Sequence, residues 1–258
     1  MAFYRRKKGC SQVSGFTRNE AAAKVMVALD KPDADAALRL ASQLQGAGCW
    51  MKVGMELFYA AGPSVVRELK SRGFRVFLDL KMHDIPNTVR GGARSIARLG
   101  VDLFNVHAAG GKAMMSAAMD GVREAVEAGD AGQAPIVIAV TQLTSTSEAV
   151  LRDEIGIASS VEEAVVRYAR LAKEAGLQGV VASPLEVVSV KQACGSAFVT
   201  VTPGIRPKGA DLGDQSRVAT PGDAVRMGTD YLVIGRAITS AADPAQALDT
   251  ILKEMTGA

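Results

Sequence analysis

From Lys24 onward, short runs rich in β-branched and aromatic residues alternate with stretches in which apolar residues recur every three or four positions. The runs KVMVALD (24–30), WMKVGM (50–55), RVFLDLK (75–81), LFNVHA (103–108), IVIAVTQL (136–143), GVVASP (179–184), FVTVTPGI (198–205) and YLVIGRAI (231–238) predict eight strands. Between them ADAALRLASQL, GPSVVRELKSRG, TVRGGARSIARLG, KAMMSAAMDGVREAVEAG, VEEAVVRYARLAKEAG, LEVVSVKQACG, TPGDAVRMG and PAQALDTILKEM have helical periodicity, and several close on a glycine, among them Gly73, Gly100 and Gly176. Strict alternation of strand and helix implies parallel strands joined by right-handed crossovers. Eight such units predict a single α/β domain over residues 24–258, a closed (β/α)8 TIM barrel. A doubly wound dinucleotide fold is disfavoured because the first strand-to-helix turn, LDKPDADA, lacks the G-x-G-x-x-G that lets backbone approach a pyrophosphate.

Composition narrows the function classes. With 258 residues, 48% of them apolar, the chain is long enough for one large core. A net charge of +3 with basic and acidic residues intermixed gives no basic stripe for nucleic acid, while small acidic molecules remain suitable partners. No apolar run approaches the roughly 18 residues of a membrane span. Cys10, Cys49 and Cys194 are odd in number and far apart, which fits free thiols in a reducing cytoplasm better than a disulfide framework or a metal site. Residues 1–23 begin with basic residues, have no apolar segment of a secretory signal, and read as a flexible extension.

The unusual residues gather where a barrel keeps its chemistry, at the C-terminal ends of strands. In LDLKMHDIPNT (78–88), alternation places Phe77, Asp79 and Lys81 on one face of the third strand and Val76, Leu78 and Leu80 on the other. The same count groups Met26, Ala28 and Asp30 on the first strand and Trp50, Lys52 and Gly54 on the second, so charges from three neighbouring strands converge, with Asp84 just beyond. One ion pair at a strand end would be unremarkable. Five charges on consecutive strands cost too much desolvation to be explained by stability, and alternating lysines and aspartates hold each other ionised. A lysine kept charged is a proton donor.

A second signal lies after strands seven and eight, whose loops build the phosphate site of many barrels. TPGIRPKGADLGDQSRVATP is longer than a connection requires and reads as a lid carrying the donors Arg206 and Gln215. In IGRAITSAADP, Gly235 allows close backbone approach, Arg236 offers a fork of donors to phosphate oxygens, and residues 237–240 predict a short helix. His107 reads as satisfying a buried hydrogen bond and His83 as shaping a turn, since no cluster accompanies either to hold a metal.

These residues carry a resemblance. D-x-K-x-x-D followed by I-P-x-T, at Asp79, Lys81, Asp84, Ile85, Pro86 and Thr88, resembles the signature of the orotidine 5'-monophosphate decarboxylases. ALD at 28–30, KVGMELF at 52–58, NVHAAGG at 105–111, VTQLTSTSE at 140–148, TPGIR at 202–206, Asp214 with Gln215, and Gly235 with Arg236 follow in the family's order. The resemblance implies a homodimeric barrel with shared active sites that converts orotidine 5'-monophosphate to UMP and CO2, the last step of de novo UMP biosynthesis, without metal or organic cofactor. It implies that Lys81 protonates C6 of the pyrimidine while Asp79 and Asp84 hold it charged. Asp84, with Ile85 and Thr88, would reach into the partner subunit's site. Lys52 would complete the array and, with Asp30, hold ribose hydroxyls; Thr144 would meet the base; Arg206, Gln215, Gly235 and Arg236 would bind phosphate.

Two alternatives stand beside this reading. A sister decarboxylase or aldolase of sugar phosphates resembles the same barrel but holds Mg²⁺ through an added acidic residue on strand two, where this chain has Lys52, with Glu56 nearby. A nonenzymatic phosphometabolite-binding barrel would not call for so balanced a charge array.

Overall fold

A computed structural model describes residues 16–207 and 217–257. Eight strands close a parallel barrel in sequence order: β1 (Val25–Ala28), β2 (Trp50–Gly54), β3 (Val76–Met82), β4 (Leu103–His107), β5 (Ile136–Val140), β6 (Gly179–Val181), β7 (Val199–Thr202) and β8 (Tyr231–Ile234), with β1 paired to β8. The barrel predicted from the alternation is therefore the observed architecture. Its outer helices are α1 (Arg18–Ala22), α2 (Ala34–Gln43), α3 (Met55–Ala61), α4 (Pro63–Ser71), α5 (Pro86–Ala97), α6 (Gly111–Glu127), α7 (Val161–Glu174), α8 (Val187–Cys194), α9 (Pro221–Arg226), α10 (Arg236–Thr239) and α11 (Pro244–Thr256).

The core has two parts, as a barrel requires. One lies between the strands' outer faces and the helices, and contains Val27, Met51, Leu78, Phe104, Val137 and Val180 with their helical partners. The other fills the interior with Met26, Trp50, Phe77, Leu103, Ile138, Val140, Val181 and Val201. Two residues further along β2, β3 and β4 the interior sequence changes from Trp50, Phe77 and Leu103 to Lys52, Asp79 and Asn105, so the apolar interior ends on a polar layer.

At the opposite end, the stagger between strands leaves backbone donors to be satisfied. Just before β4, β6 and β8 stand Asp102, Gln178 and Asp230, whose side chains accept the N–H groups of Val76, Val137 and Thr200 at 2.7, 2.8 and 2.7 Å. Lys70 and Lys191 neutralise the two carboxylates, each at 2.6 Å. The odd-numbered strands β3, β5 and β7 are thus started by the residue that precedes their even-numbered neighbours.

The extension expected over residues 1–23 needs correction at its C-terminal end, while residues 1–15, and Cys10 with them, lie outside the described residues. Residues 18–22 form α1, opened by a Thr17–Glu20 capping box. Ala21 and Ala22 are fully buried, and Arg18 pairs with Asp249 of α11 at 3.0 Å. The small alanine face lets this turn pack closely, which a composition-based reading of the segment as a polar tail overlooks. Cys49 and Cys194 are buried free thiols, and burial pushes Cys49 up to about 11, leaving it unreactive near neutral pH. No helix among the described residues is long and apolar enough to cross a membrane.

Candidate active site

A cavity of about 640 Å³ opens at the C-terminal ends of the strands, a volume suited to a small ligand. Asp30, Lys52, Asp79 and Lys81 line it together with Thr144, Arg206, Gly235 and Arg236, so eight of the residues singled out in the sequence converge on one space.

The charged residues form a continuous row. Lys52 Nζ lies 3.1 Å from Asp30 Oδ1 and 3.4 Å from Asp79 Oδ2, and Lys81 Nζ lies 2.7 Å from Asp79 Oδ1. Lys52 and Asp79 are nearly enclosed, with side chains 8% and 13% exposed, whereas Lys81 at 28% faces the cavity. Burial raises the Asp79 carboxyl, but Lys52, Lys81 and the Asn105 amide together outweigh it and hold Asp79 below the usual carboxylate range. The row therefore keeps its central carboxylate ionised and two ammonium groups within bonding distance of it.

Gly54 leaves room for this arrangement. A Cβ there would stand 3.1 Å from Lys52 Nζ and 3.3 Å from Asp30 Oδ1, so the two side-chain ends would have to give by a few tenths of an ångström. Two residues before it, Lys52 is at the mouth of β2 because Trp50, on the same strand face, fills the interior below.

Lys81 reaches its place differently from Asp79. Strand alternation accounts for Asp79, but between Leu78 and Met82 the β3–β4 register shifts, and Lys81 has φ of +51°, the one non-glycine residue in the left-handed region among those described. Such a conformation costs about 1–3 kcal/mol and persists where surrounding bonds determine it. Asn105 supplies them: its Oδ1 accepts the Lys81 backbone N–H at 2.8 Å, while its Nδ2 donates to Asp79 Oδ1 at 2.7 Å. One amide thus fixes both the bulge that aims Lys81 and the carboxylate that receives it. Asn105 is a site residue that sequence reasoning missed, and its position two residues beyond interior Leu103 was the available signal.

Asp84, Ile85 and Thr88 stand apart. All three are exposed, none lines the cavity, and the Asp84 carboxylate accepts the Ile85 N–H at 2.6 Å. His83 stacks on His107 with centroids 5.4 Å apart and rings 17° from parallel. His107 is half-buried and accepts the Ala109 N–H, and burial, then His83 and Lys81, hold its imidazole below the usual value. Among the described residues no group of three or more histidine, cysteine, aspartate or glutamate side chains is placed to hold a metal ion.

On the other wall, Thr144 is buried in the loop after β5. Arg206 follows β7, where its N–H bonds Ala219 O at 2.9 Å and Ile205 bridges Ala219, closing the neck of the long loop. Gln215 lies outside the described residues. Gly235 caps α10, which spans Arg236–Thr239 in place of the expected 237–240.

Known proteins resemble the chain in sequence and in fold. Residues 23–251 match the family described as "Orotidine 5'-phosphate decarboxylase / HUMPS family". The chain belongs to this family. An orotidine 5'-phosphate decarboxylase of Moorella thermoacetica is 56% identical over 238 residues, covering 92% of this chain and 94% of that protein. The crystal structure of an orotidine 5'-phosphate decarboxylase from Lactobacillus acidophilus superposes with a TM-score of 0.79 at 43% identity, covering 90% of this chain and 98% of that one. One from Pyrococcus horikoshii superposes at 0.71 with 26% identity, covering 91% and 100%. The orotidine 5'-phosphate decarboxylase / HUMPS assignment thus agrees with the family resemblance read from the D-x-K-x-x-D signature.

Proposed function

We propose that the chain decarboxylates orotidine 5'-monophosphate to UMP and CO2 without metal or organic cofactor, as the closing step of UMP biosynthesis in the cytoplasm. The observation that carries this reading is the Asp30–Lys52–Asp79–Lys81 row, with contacts of 3.1, 3.4 and 2.7 Å, in a cavity whose β7 and β8 rim carries Arg206 and Arg236.

When the bond from C6 to the carboxylate breaks, its electron pair stays on a ring carbon with no conjugated sink. Stabilisation must come from positive charge already in place. The Lys81 ammonium, held by Asp79 and aimed by the Asn105-supported bulge, meets that requirement and then gives C6 a proton; solvent restores the ammonium. Lys52 and Asp30 face the ribose hydroxyls and Thr144 the base. Arg206, Gln215, Gly235 and Arg236 take the phosphate, whose binding energy is spent on closing the loop over the reacting carbon.

The site is completed by a second subunit in this reading. Asp84, Ile85 and Thr88 are exposed and outside their own chain's cavity, as residues lent to a neighbour would be. In a homodimer Asp84 extends the partner's row beyond Lys81, with Ile85 and Thr88 beside it.

The metal-dependent alternative is disfavoured by Lys52, whose ammonium lies between Asp30 and Asp79 and already balances the carboxylates that a divalent cation would need. The deciding experiment is to follow the absorbance of orotidine 5'-monophosphate with purified protein in excess EDTA. Steady turnover is expected. No turnover ends the proposal, and turnover abolished by EDTA transfers it to the metal-dependent relatives.

A further inference from the structure

An ion pair outside the charge row joins three of the loops around the cavity. Glu186 closes the short turn after β6, where Ser183 N–H donates to its Oε2 at 2.9 Å in a capping box that fixes the carboxylate on the barrel. Its Oε1 accepts Arg217 Nη1 at 2.6 Å, with side chains 14% and 6% exposed for arginine and glutamate. Arg217 Nη2 donates to Leu143 O at 2.7 Å in the loop after β5. One guanidinium therefore crosses from the β7–α9 connection to both preceding loops.

The position of Arg217 in its own loop matters most. It stands two residues before Ala219, which bridges Ile205 and accepts the Arg206 N–H. Leu143 and Thr144 line the cavity from one side and Gly204 and Arg206 from the other. The anchoring side does not depend on Arg217: Leu143 O also accepts the Thr146 N–H at 2.9 Å, and Thr141 Oγ1 bonds Val181 O at 2.8 Å. The neck of the β7 loop has its narrow bridge at 205 and 219 and, beyond it, the arginine.

We propose that Glu186 and Arg217 are positioning residues that fasten the neck of the β7–α9 loop to the β5 and β6 loops, and so set where Arg206 stands. This rests on the phosphate-binding role given above to Arg206. A buried pair of this kind is a poor source of net stability, since an apolar substitute of equal volume often does as well. Its use lies in geometry: a planar guanidinium whose two Nη groups reach Glu186 Oε1 and Leu143 O fixes direction as well as distance, which lysine, with a single donor centre, does not reproduce.

The test separates phosphate positioning from general damage by using a substrate with the phosphate and one without. For Arg217→Lys and Glu186→Gln, kcat/KM is measured with orotidine 5'-monophosphate and with orotidine at high enzyme concentration, alongside the thermal midpoint. Misplacing donors by about 1 Å costs on the order of 10- to 100-fold, so a loss of that size is expected with the phosphorylated substrate. Turnover of orotidine should stay within about threefold of the wild-type chain, because no phosphate is left to misplace. Equal losses with both substrates would overturn the proposal, as would unchanged values with both. Glu186→Gln keeps the shape and the Ser183 contact, so it tests the pair even where Arg217→Lys loosens the fold. Failure of the unaltered chain to turn over orotidine 5'-monophosphate would instead refute the function proposed above.

Discussion

Replacing Asp79 by asparagine changes charge with almost no change in shape, and it strikes the middle of the row. At an effective dielectric of about 20, unit charges separated by the 2.7 Å to Lys81 and 3.4 Å to Lys52 attract by about 6 and about 5 kcal/mol. Desolvating the carboxylate offsets several kcal/mol of this, yet the carboxyl still lies below its usual range, so attraction prevails. Removing one partner of a buried pair costs about 3–5 kcal/mol. Lys52 retains Asp30, and Lys81 is partly exposed, which places Asp79→Asn near the lower end, about 3 kcal/mol. For a domain of this size that lowers the melting midpoint by about 6–12 °C.

The pH dependence has a defined sign. A carboxyl whose folded pKa is depressed stabilises fully above its unfolded value and loses that contribution as pH falls through the folded one. Urea denaturation of both proteins should therefore show a constant gap from pH 7 down to about 4, closing only below the reference value of 3.8. Equal stabilities at pH 7 would show that the Asp79 charge does not stabilise the fold, and so would a gap that closes between pH 7 and 5.

Gly54→Ala places a methyl 3.1 Å from Lys52 Nζ and 3.3 Å from Asp30 Oδ1, and is expected to push the ion pair apart and raise KM about tenfold, as lost orientation of the ribose would; steady-state kinetics checks this, and an unchanged KM speaks against the ribose role. Lys81→Ala and Asp84→Ala chains, each inactive alone, should regain partial activity when mixed, because a heterodimer contains one site with both residues intact; no recovery after exchange verified by mass would refute the shared site.

The barrel was legible in the sequence because each strand is a short apolar run bounded by a helical repeat, and all eight were found at their observed places. Their C-terminal ends were less so. IVIAVTQL reads as strand to residue 143, but β5 stops at Val140, and Gln142 and Leu143 beyond it belong to the loop that lines the cavity. Likewise β8 ends at Ile234 and α10 begins two residues later, within the run YLVIGRAI. The helix α3 follows β2 without an intervening loop, so no turn residue announced it. For the site, single-strand alternation was enough for Lys52 and Asp79. It did not reveal the bulge at Lys81 or the bonds of Asn105, because both depend on which residues of β4 stand opposite β3. The Glu186–Arg217 pair spans 31 positions and is set by how three loops meet, a relation no local pattern carries.

In the mechanism proposed above, the Lys81 ammonium stabilises the carbanion and protonates it. The most direct measurement compares kcat/KM of Lys81→Ala with that of the unaltered chain on orotidine 5'-monophosphate, with UMP affinity and thermal midpoint recorded on the same samples. Loss of both charge stabilisation and the proton donor predicts a fall of at least about 10⁴-fold, with the fold intact and UMP still bound. Turnover within about tenfold of the unaltered chain would rule out this role for Lys81.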